Sequence, residues 1–426
     1  MGEHNGWMPE AMKLKQKRRN KSASRATRAR AIAILRSPRF FCKLLEALGR
    51  EGLVGEEKNA LVIYVVAVSR LLSRPLNLFV KGQSSSGKNH TVKKVLRLIP
   101  QKCICEVTNS SEKAWNYMGR RLQHKVVFFQ EESVAFGGKQ HPARLLISEN
   151  RLERLVTVRR GAQFTTKKQV TEGPVACIST TTREQLQVDD ETRHVSIWAD
   201  ESREQTARIV RTQLTNASGL TEEEIRVWHT VQELLAERSS IPIQLPPWFD
   251  LVASKVWTDD VRIRRYFPAF VEACRTVCLM RSYRDDENKP KSLQVSFRDY
   301  AIATLIFQDA FAKSLSPVDE KSMKLRECFG RILSKNKGQP VSAQDIATEM
   351  GIPLHEAYEQ IRRAVSQKFV RRANPPQRAN LKRYLPTEAS IQFLPNPEQV
   401  FKRIGGAGRL VNHDLALNRM NKLQPS

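Results

Sequence analysis

Four short apolar runs, each followed by polar or turn-forming residues, mark buried strands in the first half of the chain. They are Leu76–Val80, Lys125–Phe129, Val175–Ser179 and Val195–Trp198. Their length and their content of Val, Ile and Phe are typical of strands that are covered on both faces. The amphipathic run Val92–Ile99, which ends at Pro100, follows the first strand and predicts a helix. Strands that alternate with helices in this way indicate an α/β domain.

Two further strand-prone runs lie between the second and the third of these strands. Leu155–Arg160 and Thr165–Val170 are separated by Gly161-Ala162-Gln163, which predicts a β-hairpin. The cations on this hairpin would suit a finger that faces DNA, and a merely solvated hairpin is the open alternative; they are Arg159, Arg160, Lys167 and Lys168.

The second half of the chain has a helical pattern. Residues 221–315 read as helices with breaks at Pro242, Pro246-Pro247 and Pro268. Three more helices are predicted over Met323–Lys335, Ser342–Met350 and Pro353–Lys368, followed by two wing strands, Phe369–Arg372 and Leu381–Leu385. A helix capped by Ser342 and ended by Gly351 fits a helix-turn-helix, and the module looks like a winged helix. Its basic wing favours DNA as the ligand, with a protein contact as the alternative.

Composition limits the class of protein. The chain has 426 residues, of which 40% are hydrophobic and 27% charged, and this excludes wholesale disorder. The longest apolar run, Ala60–Val68, is half of the ~20 residues that a membrane-spanning helix needs, so we expect a buried helix and no membrane contact. The first residues lack a secretory signal, which predicts a cytoplasmic location. Seven scattered cysteines without CxxC spacing predict structural thiols.

The formal net charge of +27 is unevenly distributed: residues 1–40 carry many Lys and Arg side chains and only Glu3 and Glu10, and the rest of the chain is also basic. Such a segment is typical of a solvated, disordered arm. Basic arms also neutralise nucleic-acid phosphates, so DNA is an expected partner. An acidic protein or a ribosomal surface would attract the same arm.

The most informative segment follows the first strand. It matches GxxxxGK between a strand and a helix, and the residues expected to bind ATP are Gly82, Gln83, Ser84, Ser85, Ser86, Gly87, Lys88, Asn89 and His90. Glycines let the loop curl so that backbone N–H groups point at phosphate oxygens, and Lys88 adds a charge for the β- and γ-phosphates. The usual Ser/Thr after the lysine is replaced by Asn89, whose carbonyl oxygen can still coordinate Mg²⁺, directly or through water.

A nucleotide-hydrolysing enzyme also needs carboxylates at the end of a neighbouring buried strand. Lys125–Phe129 is followed by Gln130-Glu131-Glu132. We expect Glu132 to be the catalytic base and Glu131 to lie on the metal side, with Gln130-Glu131 as the alternative register. A hydroxyl after the next strand, from Thr180 or Thr181, can orient the attacking water.

This order of motifs resembles the AAA+ ATPases that carry a β-hairpin before sensor 1, such as the superfamily 3 and minichromosome-maintenance helicases. It is closest to helicase-like ATPases of phages, plasmids and integrated elements. The residues that carry the resemblance, over about 45–310, are Ser69–Leu72, Pro75-Leu76, Lys81–Lys88, Arg144–Glu149, Gly173–Thr182, Thr192-Arg193, Asp200–Ser202 and Gln205-Thr206.

The resemblance implies roles for particular residues. Thr181, with Thr180 as the alternative, becomes sensor 1, and Arg193 becomes the arginine finger of a ring, usually a hexamer. Sensor 2 would come from the lid, with Arg265 the choice among Arg262, Arg264 and Arg265. The implied fold is a P-loop AAA+ three-layer α/β sandwich with a helical lid. The expected units are a disordered arm (1–40), an ATPase core (41–215), the lid (216–320), a winged helix (321–386) and a basic tail (387–426).

Together these features predict an ATP- and Mg²⁺-dependent DNA motor, a replicative helicase or initiator ATPase of a mobile element. It would work with replication proteins of the element or the host. One alternative is an ATP-regulated transcription or transposition regulator that does not unwind DNA. Another is a nucleotide-binding assembly protein that has lost hydrolysis.

Overall fold

The structure is a computed structural model. It describes residues 24–108, 114–131, 142–160, 163–183, 186–214, 219–256, 258, 260–284, 290–315, 320–336, 339–366, 370–373, 382–386 and 394–404.

A five-stranded sheet organises the first half of the chain. Its strands are β1 (Asn77–Lys81), β2 (Ile104–Val107), β3 (Lys125–Phe129), β6 (Val175–Thr181) and β7 (Val195–Trp198). Their order in the sheet is β2-β3-β6-β1-β7, and every pairing is parallel. The predicted α/β architecture is therefore confirmed. Because the carboxyl ends of parallel strands meet at one edge, the segments after β1, β3, β6 and β7 are brought together there.

Helices accompany the sheet from the start of the described chain to residue 315. They are α1 (24–36), α2 (Phe40–Arg50), α3 (Glu57–Ser69), α4 (Lys88–Leu96), α5 (Pro142–Glu149), α6 (Val188–Glu191), α7 (Arg203–Gln213), α8 (Glu222–Arg238), α9 (Phe249–Lys255), α10 (Ile263–Arg281) and α11 (Phe297–Leu315). Short 3-10 turns cover Gln101–Cys103 and Ala114–Tyr117, and a two-stranded parallel sheet joins β8 (Ile243–Gln244) to β9 (Leu293–Gln294).

Helix α3 explains the long apolar run. Every residue from Ala60 to Ser69 is buried, because a helix that is apolar on all sides must be covered on all sides. The predicted buried helix is thus confirmed. None of the described helices is both long and apolar enough to span a bilayer.

The predicted hairpin is also confirmed. Strands β4 (Arg151–Arg160) and β5 (Gln163–Glu172) pair antiparallel over their full length, from Arg151 opposite Glu172 to Arg160 opposite Gln163. The hairpin exposes a large apolar side chain to solvent, that of Leu155, which is 71% exposed.

Two sequence expectations about the helices are wrong. Residues 24–36 form α1, with Ala31 and Leu35 buried in the main core, so this part of the expected disordered arm is an ordered helix. Arg28 and Arg30 anchor it by ion pairs to Glu237 and Glu223 on α8. Residues 1–23 lie outside the described residues. The predicted break at Pro268 is also absent, because this proline lies inside α10.

A separate small core forms from residue 320 onward. Helices α12 (Glu320–Lys335), α13 (Ala343–Met350) and α14 (Leu354–Ser366) are followed by strands β11 (Val370–Ala373) and β12 (Arg383–Pro386), and β10 (Val341–Ser342) completes a sheet of order β10-β12-β11. As expected, Ser342 caps α13 through a capping box, and Gly351 ends it at φ 65°.

The chain then returns to the helical region, which corrects the expectation of a basic tail over 387–426. Helix α15 (Pro397–Arg403) packs against α11, with Leu394 and Val400 buried in the main core. The Tyr300 hydroxyl donates to the Pro395 carbonyl over 2.6 Å. Apolar burial thus fixes this segment, while residues 405–426 lie outside the described residues.

Candidate nucleotide-binding site

The loop after β1 has the backbone shape that the motif predicts. Ser85 and Gly87 have φ values of 67° and 83°, which turn the chain toward the first turn of α4. Gly87 is the N-cap of this helix, and Lys88 is its first residue. The loop therefore ends on a helix N-terminus, where N–H groups and the helix dipole favour an anion.

Lys88 ties the two ends of the loop together. Its ammonium donates to the carbonyl oxygens of Gly82, at 2.7 Å, and of Gln83. The third hydrogen of the ammonium can meet Ser86 Oγ at 3.4 Å, a long contact, so a phosphate oxygen would take the place of that contact. Burial lowers the pKa of Lys88, and the nearby charges of Glu131 and Glu201 oppose that shift.

Asn89 contacts the end of the neighbouring strand β6. The Thr180 hydroxyl lies 2.7 Å from Asn89 Oδ1 and 2.5 Å from the Gln130 carbonyl oxygen. One hydroxyl proton cannot serve two oxygen acceptors well, and both contacts are satisfied when the Asn89 amide NH₂ faces Thr180. In that arrangement the Asn89 carbonyl oxygen faces away from Thr180 and can serve a metal ion.

Thr181, the residue predicted to orient water, has a different environment. It is 0% exposed, and its hydroxyl accepts from the Arg183 backbone N–H over 3.0 Å. Successive side chains of a strand point to opposite faces, so only one of the two threonines can face Asn89. The structure brings Thr180, the alternative of the pair, to the loop.

The acidic segment after β3 is described as far as Glu131. Glu131 is half-buried and close enough to Lys88 to act on its charge. The predicted base, Glu132, lies outside the described residues. Gln130, which stands at the acid position of the alternative register, donates from its side chain to Glu106.

The other predicted loop residues differ in position. Ser84 and Ser85 are exposed, and Ser86 Oγ lies 3.4 Å from the Lys88 ammonium. His90 instead faces the backbone of Gly52, and burial lowers its pKa.

The two predicted arginines form a second cluster around Asp189. Arg193 pairs with the Asp189 carboxylate at 3.0 Å, and its Nε donates to the Ser148 hydroxyl at 2.8 Å. Arg265 donates to the Thr192 hydroxyl and lies 3.9 Å from Asp189. These cations hold the pKa of Asp189 below its usual range, chiefly through the hydrogen bond from Arg193.

The remaining lid candidates divide clearly. Arg262 pairs with Asp260 at 2.6 Å and donates to the Ser314 carbonyl at 3.2 Å, so it serves the end of α11. Arg264 is exposed.

Sequence reasoning missed one contact of the loop. Glu201 follows β7 at the same sheet edge, and its carboxylate accepts a hydrogen bond from the Gln83 backbone N–H. The sequence does contain a signal for this contact. Acids directly after a buried strand are expected near the phosphate-binding loop, and Asp200-Glu201 follow β7 shortly after Trp198, as Glu131 follows β3.

The oxygen ligands offered here suit magnesium. The predicted metal ligands Asn89 and Glu131 would supply a carbonyl and a carboxylate, which fits an ion that normally keeps waters and binds substrate phosphates. Within the described part of the chain, no group of three His, Cys, Asp or Glu side chains could hold a metal ion by itself.

Comparison with known proteins supports a phosphate-binding loop in this part of the chain. Residues 25–235 match the family model described as MTBMA_p00010 P-loop domain. The match begins in α1 and ends in α8, so it includes α1, which the expected core of 41–215 leaves out. No curated protein matched the chain. This match supports a P-loop domain, a nucleotide-binding unit, over residues 25–235.

Proposed function

We propose that this protein is an ATP-driven DNA motor of the AAA+ class with a hairpin before sensor 1, acting as a replicative helicase or initiator ATPase of a mobile element. The observation that carries the nucleotide part is Lys88, which is buried at a helix N-terminus and bonded to the carbonyls of Gly82 and Gln83. Burial of a cation costs free energy, so a buried ammonium held in this way is not expected in a turn that serves only as a solvated connection.

The chemical step is assigned to residues at the carboxyl edge of the sheet. Lys88 and the loop N–H groups would hold the β- and γ-phosphates, and Thr180 would fix Asn89. Bound Mg²⁺, held through Asn89 and Glu131, would neutralise charge on the phosphates. Glu132 would accept a proton from the attacking water.

DNA binding is assigned to two basic features. On the hairpin, Arg154 and Lys167 are exposed beside the exposed apolar Leu155, and Lys168 pairs with Glu153 at 2.6 Å. In the module over 320–386, which we infer to be a winged helix, Arg371, Arg372 and Lys382 are exposed on the strand side. Such cations are suited to phosphate contacts.

A ring would give Arg193 its role. Within one protomer it is paired with Asp189 and Ser148, and 22% of its side chain is exposed. As a finger it would have to exchange the Asp189 carboxylate for the γ-phosphate of a neighbouring subunit. A hexamer is the assembly that we propose.

One observation favours the alternative of an ATP-regulated DNA-binding regulator that does not unwind. In the alternative register, Gln130 stands at the position of the metal-side acid, and there it is neutral and donates its side-chain hydrogen bond to Glu106. Slow or absent hydrolysis would leave ATP to control assembly alone.

Nucleotide retention and strand separation test the proposal together. We expect the protein to retain labelled ATP, to hydrolyse it faster with DNA, and to open a forked duplex with ATP but not with a non-hydrolysable analogue. No retention at any magnesium or manganese concentration would refute nucleotide binding. Tight binding to a duplex site without strand separation would favour the regulator.

The two threonines after β6 allow a matched comparison. Thr180→Val removes the contact with Asn89, and we expect kcat to fall about tenfold, the equivalent of one hydrogen bond. Thr181→Val changes a hydroxyl that serves only Arg183 among the contacts of the described residues, and kcat should stay within about twofold. Steady-state ATPase rates measure both. A larger loss in Thr181→Val would reverse the assignment.

A further inference from the structure

Glu201 reaches the phosphate-binding loop from another strand. Its carboxylate accepts from the Gln83 N–H and covers the start of the loop, since a Cβ built on Gly82 would lie 2.9 Å from Glu201 Oε1. The same Cβ would lie 3.2 Å from Ala199, so the segment after β7 crosses Gly82 at a distance that only glycine allows.

The segment that carries Glu201 is held on both sides. The Ala199 N–H donates to the Lys81 carbonyl at 2.9 Å, and the Asp200 N–H donates to buried Glu56 at 2.8 Å. Ser202 then caps α7 by accepting from the Gln205 N–H. These contacts fix the backbone around Glu201 and so place its carboxylate at the loop.

The geometry of one peptide unit decides what the contact does. The Gly82 carbonyl and the Gln83 N–H belong to the same planar peptide, and in a trans peptide they point in opposite directions. The carbonyl faces the Lys88 ammonium, so the N–H faces away from it, toward Glu201. Glu201 therefore does not occupy the side of the loop on which Lys88 would meet phosphate.

We propose that Glu201 is a positioning residue of the nucleotide site, which acts through the Gly82–Gln83 peptide to hold Lys88 in place; this rests on the proposed nucleotide binding. The Glu201 carboxylate binds the Gln83 N–H of this peptide, and the Lys88 ammonium binds its Gly82 carbonyl. Loss of the contact with Glu201 would let the peptide rotate and would take the Gly82 carbonyl away from the ammonium.

Three variants test this proposal. Glu201→Ala removes the acceptor, and we expect affinity for ADP and ATP to fall about tenfold, as for loss of one charged hydrogen bond. Glu201→Gln keeps an acceptor oxygen, so its affinity should stay within about threefold of the wild type. Glu204→Ala, which removes an exposed acid on the first turn of α7, is the control and should bind like the wild type. Isothermal titration calorimetry measures all three.

Two results would overturn the proposal. If Glu201→Ala bound nucleotide as well as the wild type or better, Glu201 would be neutral or would compete with phosphate. If Ala and Gln weakened binding equally, charge and not the hydrogen bond would be responsible.

A second readout does not depend on nucleotide. In protein labelled with ¹⁵N-glutamine, the Gln83 amide proton should move upfield in Glu201→Ala and stay near its original position in Glu201→Gln. If the wild type bound no nucleotide, the proposed function would fail, and this spectrum would still decide whether Glu201 holds the loop. An unchanged Gln83 resonance in Glu201→Ala would refute the contact.

Discussion

Replacement of Lys88 by alanine should abolish useful nucleotide binding, with at least a ~100-fold loss of ATP affinity, or about 2.8 kcal/mol. Two interactions would be lost, because the Lys88 side chain offers positive charge to the phosphates and also donates hydrogen bonds to the carbonyl oxygens of Gly82 and Gln83. Each charged hydrogen bond of this kind contributes about 1.5–3 kcal/mol. Equilibrium binding of a labelled ATP analogue measures the loss.

Lys93→Ala is the control for that experiment. Lys93 lies on the same helix, but its side chain is 51% exposed and pairs with Glu106 at 3.3 Å. Exposed pairs contribute little, so ATP affinity should be unchanged. Equal loss in the two variants would mean that the general positive charge of the helix, and not the position of Lys88, attracts the nucleotide.

Removal of Arg144 should cause the largest loss of stability. Arg144 and Asp190 form a two-pronged pair, Nε to Oδ1 at 2.6 Å and Nη2 to Oδ2 at 2.7 Å, and their side chains are only 10% and 3% exposed. Arg144→Ala leaves the Asp190 charge buried without this partner, which costs about 3–5 kcal/mol. Urea unfolding should show a lower midpoint with the same dependence on denaturant.

A surface pair gives the matched comparison. Arg120 pairs with Glu172 at 2.7 Å, but its side chain is 79% exposed. Arg120→Ala should change the free energy of unfolding by about 0–1 kcal/mol. Joint replacement of Arg144 and Asp190 by apolar residues should recover much of the loss, because no buried charge is then left unpaired. Similar losses in Arg144→Ala and Arg120→Ala would show that burial of the first pair has no effect on its contribution.

Local signals predicted most of the core. Strands such as Val195–Trp198 follow from short apolar runs, and the loop before Lys88 follows from its glycines. Both signals act within a few residues of the chain. The sequence interpretation favoured Thr181 over Thr180, whereas the structure brings Thr180 to Asn89, because the outcome depends on which face of β6 meets Asn89. The role of Glu201 was hidden for a similar reason, since it depends on β7 lying next to β1.

Long-range packing accounts for the errors at the two ends. Ala31 and Leu35 have helical spacing, but the many arginines around them favoured the interpretation of a solvated arm. Leu394 and Val400 lie in a short segment with other apolar residues, such as Phe393 and Phe401, and only contact with a distant helix gives Leu394 and Val400 a place in the core. Apolar spacing identifies a buried face, but it does not say which surface covers that face.

The return of the chain to α11 makes residues 320–386 an insertion rather than an appendage. The module leaves the end of α11 at Leu315 and comes back through Leu394 to the same helix, so one scaffold carries both of its attachments. Both junctions of the module therefore lie outside the P-loop domain of residues 25–235, so the module could be exchanged without change to that domain. A stop codon after residue 386 would instead keep the module but remove Leu394 and Val400 from the main core, so the shortened protein would lose stability in the helical region around α11.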